Sequence, residues 1–128
     1  MSPTMSKRIL IVDDSLVVLA MHKYALETAG YQCATAENGY LALELLFKEC
    51  FALIVADVNM PRMDGYELAR RIRKTSGYEF VPIILISSGE GPQDRAKGIA
   101  SGANLYMRKP VEPAKLIANA HMLAAQRD

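Results

Sequence analysis

The feature that most constrains the fold is a series of four short apolar runs, three of them continuous. They span residues 9–12, 53–56, 83–86 and 105–107, and a fifth, mixed segment at residues 31–36 suits an edge strand. Continuous runs are typical of strands buried on both faces of a parallel sheet. Stretches of helical length separate the runs. The chain therefore reads βαβαβαβαβα, an α/β fold with a doubly wound, five-stranded parallel sheet.

Helix-capping residues precede the first three helical stretches. From the first helix to the third they are Asp14 or Ser15, Asn38, and Asp64 followed by Glu67. The fourth helix, near residues 92–101, is the weakest prediction. Four of the eight glycines lie in or beside it, and an interior glycine costs about 1 kcal/mol relative to alanine. A last helix is predicted from about residue 112 to residue 125.

The composition favours a single domain over residues 1–128, with a flexible segment at residues 1–7. Hydrophobic residues make up 51% and charged residues 23%, which excludes intrinsic disorder. A net charge of +1 gives no general attraction to nucleic acid or to anionic membranes. No apolar run approaches the roughly 18 residues of a spanning helix, and residues 1–7 do not resemble a signal peptide. We expect a cytoplasmic protein without direct nucleic-acid binding or membrane insertion.

The cysteines and histidines give no sign of a site. Cys33 and Cys50 form no paired metal-ligand motif, and we expect reduced thiols packed in the interior. His22 and His121 lie far apart within helical patterns. Each is expected to be a helix-surface or half-buried residue.

Polar residues follow the apolar runs, at the edge where open α/β sheets bind their ligands. In chain order they are Asp13, Asp14, Asp57, Ser87 and Lys109. In the simple strand order 2-1-3-4-5 the first and third strands are neighbours. The three aspartates are therefore expected to share one edge of the sheet.

Three carboxylates at one edge repel one another, by roughly 4 kcal/mol for a pair about 4 Å apart near a surface. Such a cluster needs protonation or a cation. Oxygen ligands without histidine or cysteine suit Mg²⁺. A carboxylate beside Mg²⁺ and an ammonium group can act as a nucleophile toward a phosphoryl group. The alternative is that Asp13, Asp14 and Asp57 are solvated helix caps or loop acids.

Four segments together resemble the receiver domains of two-component response regulators. They are residues 12–15 (VDDS), 57–65 (DVNMPRMDG), 86–88 (ISS) and 106–110 (YMRKP), in the family's order and spacing. The resemblance implies a flavodoxin-like (βα)5 fold with strand order 2-1-3-4-5. It also implies a phosphorylation-activated switch rather than an enzyme, although such a domain takes part in phosphoryl transfer and can catalyse its own dephosphorylation.

The resemblance implies a role for each matching residue in phosphoryl transfer. Asp57 is the expected phosphoacceptor, and a sensor histidine kinase or histidine phosphotransfer protein is the expected donor. Lys109 is expected to pair with the phosphoryl group and Ser87 to hydrogen-bond it. Tyr106 is similar to the aromatic residue that changes rotamer with Ser87, and the bond from Lys109 to Pro110 resembles the family's cis peptide. The alternatives are a surface lysine, an ordinary strand-end hydroxyl and a half-buried core tyrosine.

The resemblance also implies a set of Mg²⁺ ligands. Asp14, Asp57 and the backbone carbonyl of Asn59 are expected to hold Mg²⁺ directly. Asp13 is expected to act mainly through a bound water. Gly65 fits a tight turn near these residues and has a structural role only.

Three other classes of protein compete with this interpretation. Haloacid dehalogenase-like phosphatases also use a strand-end aspartate and Mg²⁺, but their second acid is replaced here by Asn59, which cannot act as a general acid. A flavodoxin-like cofactor binder needs a phosphate loop after the first run, where Asp13 and Asp14 would repel phosphate. A receiver that has lost phosphorylation is disfavoured because all five polar strand-end residues are present.

The first helix has more apolar residues than one buried face requires. The spacing predicts a core face made of Val18, Met21, Ala25 and Ala29. The remaining apolar residues, Leu16, Leu19 and Ala20, are then predicted to point elsewhere beside the site and to dock the phosphodonor. The alternative is that they are scattered surface residues or are buried by the neighbouring last helix. A basic set around the third helix is interpreted as a solvated helix face rather than a nucleic-acid surface. Its members are Arg62, Arg70, Arg71, Arg73 and Lys74.

Overall fold

A computed structural model describes residues 7–89 and 91–125, which form one five-stranded parallel sheet. The strands are β1 (Arg8–Val12), β2 (Gln32–Ala36), β3 (Leu53–Asp57), β4 (Ile83–Ser87) and β5 (Leu105–Arg108). The helices are α1 (Leu16–Thr28), α2 (Gly39–Lys48), α3 (Gly65–Arg73), α4 (Pro92–Ala100) and α5 (Pro113–Ala124). The strand order β2-β1-β3-β4-β5 confirms the predicted fold class.

The central strands β1, β3 and β4 are buried on both faces of the sheet, because alternate residues point to opposite sides and helices cover each side. One cluster joins the sheet to α2 and α3 and contains Leu10, Ile54, Leu85, Leu46 and Ile72. The other joins the sheet to α1 and α5 and contains Ile11, Val55, Ile84, Leu26 and Leu116. Burial on both faces is the reason that the central strands are apolar without alternation.

The helix ends agree with the predicted caps. The side chains of Ser15, Asn38 and Asp64 accept hydrogen bonds from backbone amides in the first turns of α1, α2 and α3. Helix α4 has nine residues and begins after Gly91, which has no side chain to cap it. Of the predicted flexible segment, residues 1–6 lie outside the described part of the chain. Lys7 donates a hydrogen bond from Nζ to the carbonyl oxygen of Ala124 at 2.9 Å.

The predicted core face of α1 is wrong for Met21, whereas Val18, Ala25 and Ala29 are half-buried. Leu19 is buried and Met21 is 59% exposed, although the spacing placed them the other way round. Leu19 and Leu26, two turns apart, form the buried face. Apolar residues occur on all sides of this helix, so periodicity could not select a face, and packing against α5 and β2 decided it. Of the predicted docking patch, Leu16 and Ala20 are exposed and Leu19 is not.

The prediction of a solvated basic face is wrong for Arg73. Its guanidinium donates to the carbonyl oxygens of Tyr78, Val81 and Gly102 at 2.6–3.3 Å and to Oδ1 of Asn104 at 2.9 Å. These acceptors precede β4 and β5, at the edge where the strands begin. Arg73 therefore joins the end of α3 to the segments that lead into two strands.

The other arginines at the centre of the basic set are paired. Arg70 and Arg71 both bind the carboxylate of Glu67, at 2.9 and 2.8 Å.

Cys50 is exposed, so the prediction of an interior thiol is wrong for it, whereas Cys33 is half-buried. Within residues 7–89 and 91–125, no helix has the length and apolar character needed to cross a membrane.

Candidate functional site

The predicted site residues meet at the carboxyl edge of the sheet, where the strands end. Asp57 and Ser87 are the last residues of β3 and β4. Asp13 and Asp14 follow β1, and Lys109 follows β5. Parallel strands all end at one edge, and therefore residues distant in the chain become neighbours.

The three aspartates form one cluster. Asp13, Asp14 and Asp57 each offer a carboxylate oxygen, and these three oxygens lie within 4.8 Å of one another. Asp13 and Asp57 are buried, whereas Asp14 is exposed. The donor set is made of hard oxygen atoms, and one side of it is open to water, as Mg²⁺ prefers because it retains several water ligands. The residues present therefore fit a magnesium site.

Burial has a marked effect on Asp13. It raises the pKa of this carboxyl from 3.8 to about 6, and the negative charge of Asp57 acts in the same direction. A hydrogen bond from the backbone amide of Ser15, 2.9 Å long, and the positive charge of Lys109 oppose the rise. The charged cluster is thus under electrostatic stress that a bound cation would relieve.

Asp57 has two donors on one oxygen. Lys109 Nζ lies 2.9 Å from Asp57 Oδ1, and the backbone amide of Asn59 donates to the same atom at 3.2 Å. The side chain of Asp57 is 2% exposed and that of Lys109 is 37% exposed. The ammonium group therefore lies on the solvent side of a buried carboxylate, where an incoming anion would meet it. The peptide bond between Lys109 and Pro110 is cis.

The loop after β3 passes very close to the end of that strand. The amide of Gly65 donates to the carbonyl oxygen of Val58 at 3.0 Å. A Cβ atom on Gly65 would lie 2.6 Å from the carbonyl oxygen of Asp57 and 2.7 Å from the Cα of Val58. Both are backbone atoms that cannot move aside cheaply. Only glycine lets α3 begin directly beside the phosphoacceptor candidate.

Two hydroxyl groups lie beyond the carboxylates. Ser87 is 2% exposed, and its Oγ accepts a hydrogen bond from the amide of Gly89 at 2.9 Å. Tyr106 is 5% exposed, and its hydroxyl has no hydrogen-bond partner in the described part of the chain. Nearby, Oδ1 of Asn59 accepts from the amide and the hydroxyl of Ser88, both at 3.2 Å. The last two bonds connect the loops that follow β3 and β4.

Comparison with known proteins decides the family. The family model of the response regulator receiver domain matches residues 9–121. The chain belongs to this family. It is therefore a receiver domain of the two-component response regulators, whose members act as phosphoacceptor switches.

Relatives of this receiver domain include proteins of several sizes. The chemotaxis protein CheY4 of Vibrio cholerae has a similar structure, with a TM-score of 0.89 and 34% identity, covering 93% of this chain and 99% of that one. The response regulator PleD of Caulobacter vibrioides is 33% identical over 93% of this chain but only 26% of its own length. The regulatory protein PhoP of Bacillus subtilis is 35% identical over 96% of this chain and 50% of its own length. The chain thus spans half or less of the two larger relatives.

A histidine beside the receiver site was not predicted to lie there. A cleft of about 280 Å³ opens between α1 and the segment after β5, lined by Asp13, His22, Lys109 and Val111 among others. His22 is half-buried, and burial lowers the pKa of its imidazole. The negative charge of Asp57 opposes this effect, and the positive charge of Lys109 adds to it. His22 lies two helical turns after the cap Ser15, and this spacing could have indicated its position.

A second residue missed by the sequence analysis is Tyr66. It is 5% exposed at the start of α3, directly after Gly65. Burial raises the pKa of its phenol to about 12, and the neighbouring hydroxyls of Tyr106 and Ser87 also act on this pKa. No motif signal distinguishes Tyr66 from an ordinary core residue of an amphipathic helix.

Proposed function

We propose that Asp57 accepts a phosphoryl group from a phosphohistidine on a sensor histidine kinase or histidine phosphotransfer protein. Phosphorylation then switches a protein-interaction surface. The observation that carries the proposal is the contact of 2.9 Å between Lys109 Nζ and the buried Asp57 carboxylate, inside a cluster of three acids. Residues 1–128 act as a single receiver domain in the cytoplasm.

The transfer step uses groups that the fold already holds in place. A carboxylate oxygen of Asp57 attacks the phosphorus atom of the donor. The new P–O bond forms as the P–N bond to the donor imidazole breaks, and the imidazole leaves. The ammonium group of Lys109 offsets negative charge on the phosphoryl oxygens. The amide of Asn59, already bonded to Asp57 Oδ1 at 3.2 Å, keeps the carboxylate in one orientation.

The acid cluster provides the magnesium site in this proposal. Asp14, Asp57 and the backbone carbonyl of Asn59 hold Mg²⁺, and Asp13 acts through a bound water. When bound, Mg²⁺ supplies positive charge that stabilises the transferring phosphoryl oxygens. Asp14→Ala should weaken Mg²⁺ binding at least tenfold, as titration calorimetry or NMR would measure, because few protein ligands hold this ion. Unchanged affinity would count against the ligand set.

The switch consists of Ser87 and Tyr106. The Ser87 hydroxyl donates a hydrogen bond to the phosphoryl group, and the position of the Tyr106 ring follows that movement. The domain also catalyses its own dephosphorylation, by transfer of the phosphoryl group from Asp57 to water. This activity returns the switch to its unphosphorylated state and releases inorganic phosphate.

The donor docks on the exposed apolar start of α1. Leu16 is 64% and Val17 is 69% exposed, one turn from the acid cluster. Leu16→Glu should slow transfer from the protein donor and leave labelling by acetyl phosphate unchanged. Met122→Glu is the matched control, since Met122 is 51% exposed near the C-terminal end of α5, away from the acid cluster.

The pairing of Arg70 and Arg71 with Glu67 supports the proposal that this chain does not bind nucleic acid directly.

The phosphoacceptor is tested with acetyl phosphate and Mg²⁺. We expect one base-labile phosphoryl group per chain, detected as a mass increase and mapped to Asp57. Asp57→Asn should abolish it, and Asp64→Asn, which changes a helix-capping acid, should not. Stoichiometric labelling of Asp57→Asn would place the phosphoacceptor elsewhere.

A further inference from the structure

Helix α4 packs on the domain without adding an apolar side chain to its core. All nine residues of this helix are described, and neither of the two apolar clusters contains any of them. Only Gly98 of α4 is buried. A Cβ atom on Gly98 would lie 3.0 Å from Cδ1 of Tyr106, so the helix backbone lies directly against that ring. The ring of Tyr106 is therefore part of the surface on which α4 packs.

Two basic side chains of α4 lie over buried tyrosine rings. The guanidinium carbon of Arg95 is 5.7 Å from the centre of the Tyr106 ring, and Lys97 Nζ is 4.7 Å from the centre of the Tyr66 ring. Arg95 and Lys97 are exposed, whereas each of the two tyrosines is 5% exposed. A cation within about 6 Å of a ring centre is attracted by the negative face of the ring. Each cation therefore favours the buried position of its own ring.

The buried position of Tyr106 is unfavourable for its hydroxyl. This group has no hydrogen-bond partner in the part of the chain that the structure describes, and an unpaired buried hydroxyl costs free energy. If the ring turned outward, its hydroxyl could bind water instead. The contact with Arg95 opposes that movement, and it therefore raises the fraction of molecules in which Tyr106 is buried.

The register of the sheet relates Tyr106 to Ser87. Tyr106 pairs with Leu85 on the neighbouring strand β4, and both belong to the apolar cluster on the side of α2 and α3. Side chains two residues apart in a strand point to the same face, so Ser87 faces the same side as Leu85. Movement of the Ser87 hydroxyl toward a phosphoryl group on Asp57 leaves more room on this face. The phosphorylated state should therefore favour the buried ring.

We propose that Arg95 is a positioning residue of the switch. Its guanidinium holds the Tyr106 ring in the buried position that the phosphorylated state also favours. Because both favour the same state, Arg95 strengthens the binding of a phosphoryl group that it does not touch. Lys97 lies over a different ring and has no such effect. The inference rests on the proposed function, since it adds Arg95 to the switch formed by Ser87 and Tyr106.

The test uses beryllofluoride with Mg²⁺ as the phosphoryl mimic and NMR of protein with ¹³C-labelled tyrosine rings. The Tyr106 signal is assigned by its loss in Tyr106→Phe. In Arg95→Met, which keeps an unbranched side chain without the charge, this signal should shift toward that of Tyr24, which is 76% exposed. The affinity for beryllofluoride should fall about threefold, as expected for one lost contact between an exposed cation and a ring. Arg95→Lys keeps the charge and should restore both readouts.

Lys97→Met is the matched control, because it removes the same charge from the same helix but from the ring of Tyr66. It should shift the Tyr66 signal and leave the Tyr106 signal and the beryllofluoride affinity as in the parent. A parental Tyr106 signal or a parental affinity in Arg95→Met would overturn the inference alone. An equal fall in affinity in Arg95→Met and Lys97→Met would also overturn it, since net charge would then explain the effect. A parent that binds no beryllofluoride would overturn the proposed function and this inference with it.

Discussion

The polar groups at the two edges of the sheet differ in how completely they are hydrogen-bonded. At the amino edge, where the strands begin, the guanidinium of Arg73 donates to three carbonyl oxygens and to Asn104. Asn104 Oδ1 in turn accepts from the amide of Ile83 at 2.9 Å. At the carboxyl edge, two buried aspartates lie close together, and the buried Tyr106 hydroxyl is unpaired within the described residues. The polar groups around Arg73 are therefore hydrogen-bonded, although the amino edge also has one buried unpaired atom among the described residues, the Nε of Arg8 at the start of β1.

The difference shows that polar groups at the amino edge stabilise the fold, whereas those at the carboxyl edge destabilise it. Buried polar groups are normally hydrogen-bonded, and those that are not tend to mark a functional site. Around Arg73 the amino edge follows this rule, and its hydrogen bonds hold the loops before β4 and β5 in place. The carboxyl edge departs from this rule, because it places like charges close together. These carboxylates are available to bind a cation and to accept a phosphoryl group. Removing the donor Arg73 at the amino edge and removing the charge of Asp13 at the carboxyl edge should therefore change stability in opposite directions.

The largest expected effect is at the amino edge. Arg73→Ala should lower the free energy of unfolding by about 4 kcal/mol, because several partly buried carbonyl oxygens lose a charged donor. Urea denaturation measures the loss. Acetyl phosphate labelling at low temperature should persist, since the carboxyl edge is untouched. Arg70→Ala is the control, because Arg70 makes only an exposed ion pair with Glu67, which contributes little to stability. Equal losses in the two variants would contradict the comparison.

The next effect has the opposite sign. Asp13→Asn should raise the free energy of unfolding by about 2 kcal/mol near pH 7 without Mg²⁺, because burial raises the pKa of Asp13 from 3.8 to about 6. The folded protein holds this proton more tightly than the unfolded chain does. Stability from this group is thus present below about pH 4 and lost as the pH rises through 6. The asparagine oxygen can still accept from the amide of Ser15.

Urea denaturation in EDTA between pH 4 and 8 checks this prediction. The parent should lose stability across the range from about pH 4 to 6, and the loss should be smaller in Asp13→Asn. Asp14→Asn serves as the control, since this side chain is exposed and its removal should change stability less. A parent whose stability rises over that range would show that other groups dominate the titration.

The sequence was sufficient to predict the carboxyl edge. Continuous apolar runs identify strands buried on both faces, and the polar residue after each run must then lie at one edge. The pattern alone therefore predicts that Asp13, Asp57, Ser87 and Lys109 lie together. The strand order and the individual roles came from resemblance to a family, which four motifs carried together.

The amino edge could not be predicted in the same way. Three of the acceptors of Arg73 are backbone carbonyl oxygens, which lie 5, 8 and 29 residues away in the chain, and no residue type marks them. The prediction of the buried face of α1 is wrong for a related reason. Apolar residues occur on every side of this helix, and therefore tertiary packing decides whether Leu19 or Met21 is buried. Tyr66 also has an unremarkable sequence context. Its contact with α4, where its hydroxyl donates to the carbonyl oxygen of Asp94 at 3.4 Å, depends on tertiary packing.

The smallest expected effect lies in the loops over the site. Asn59→Ala removes the acceptor of two hydrogen bonds from Ser88, each 3.2 Å long and exposed. The free energy of unfolding should fall by less than about 1 kcal/mol, because water can replace exposed hydrogen bonds. The change should instead be local. We expect faster hydrogen exchange at the amides of Ser88 and Gly89, measured by NMR, with unchanged exchange in β3.

A double-mutant cycle sharpens this last prediction. Ser88→Ala removes the hydroxyl donor but keeps the amide donor, so its effect on exchange at Gly89 should be smaller than that of Asn59→Ala. Combining both substitutions should add nothing to Asn59→Ala, since the hydroxyl of Ser88 has already lost its acceptor there. Additive effects would mean that the loops after β3 and β4 move independently. In that case Asn59 would not connect the phosphoacceptor loop to the segment that carries the switch.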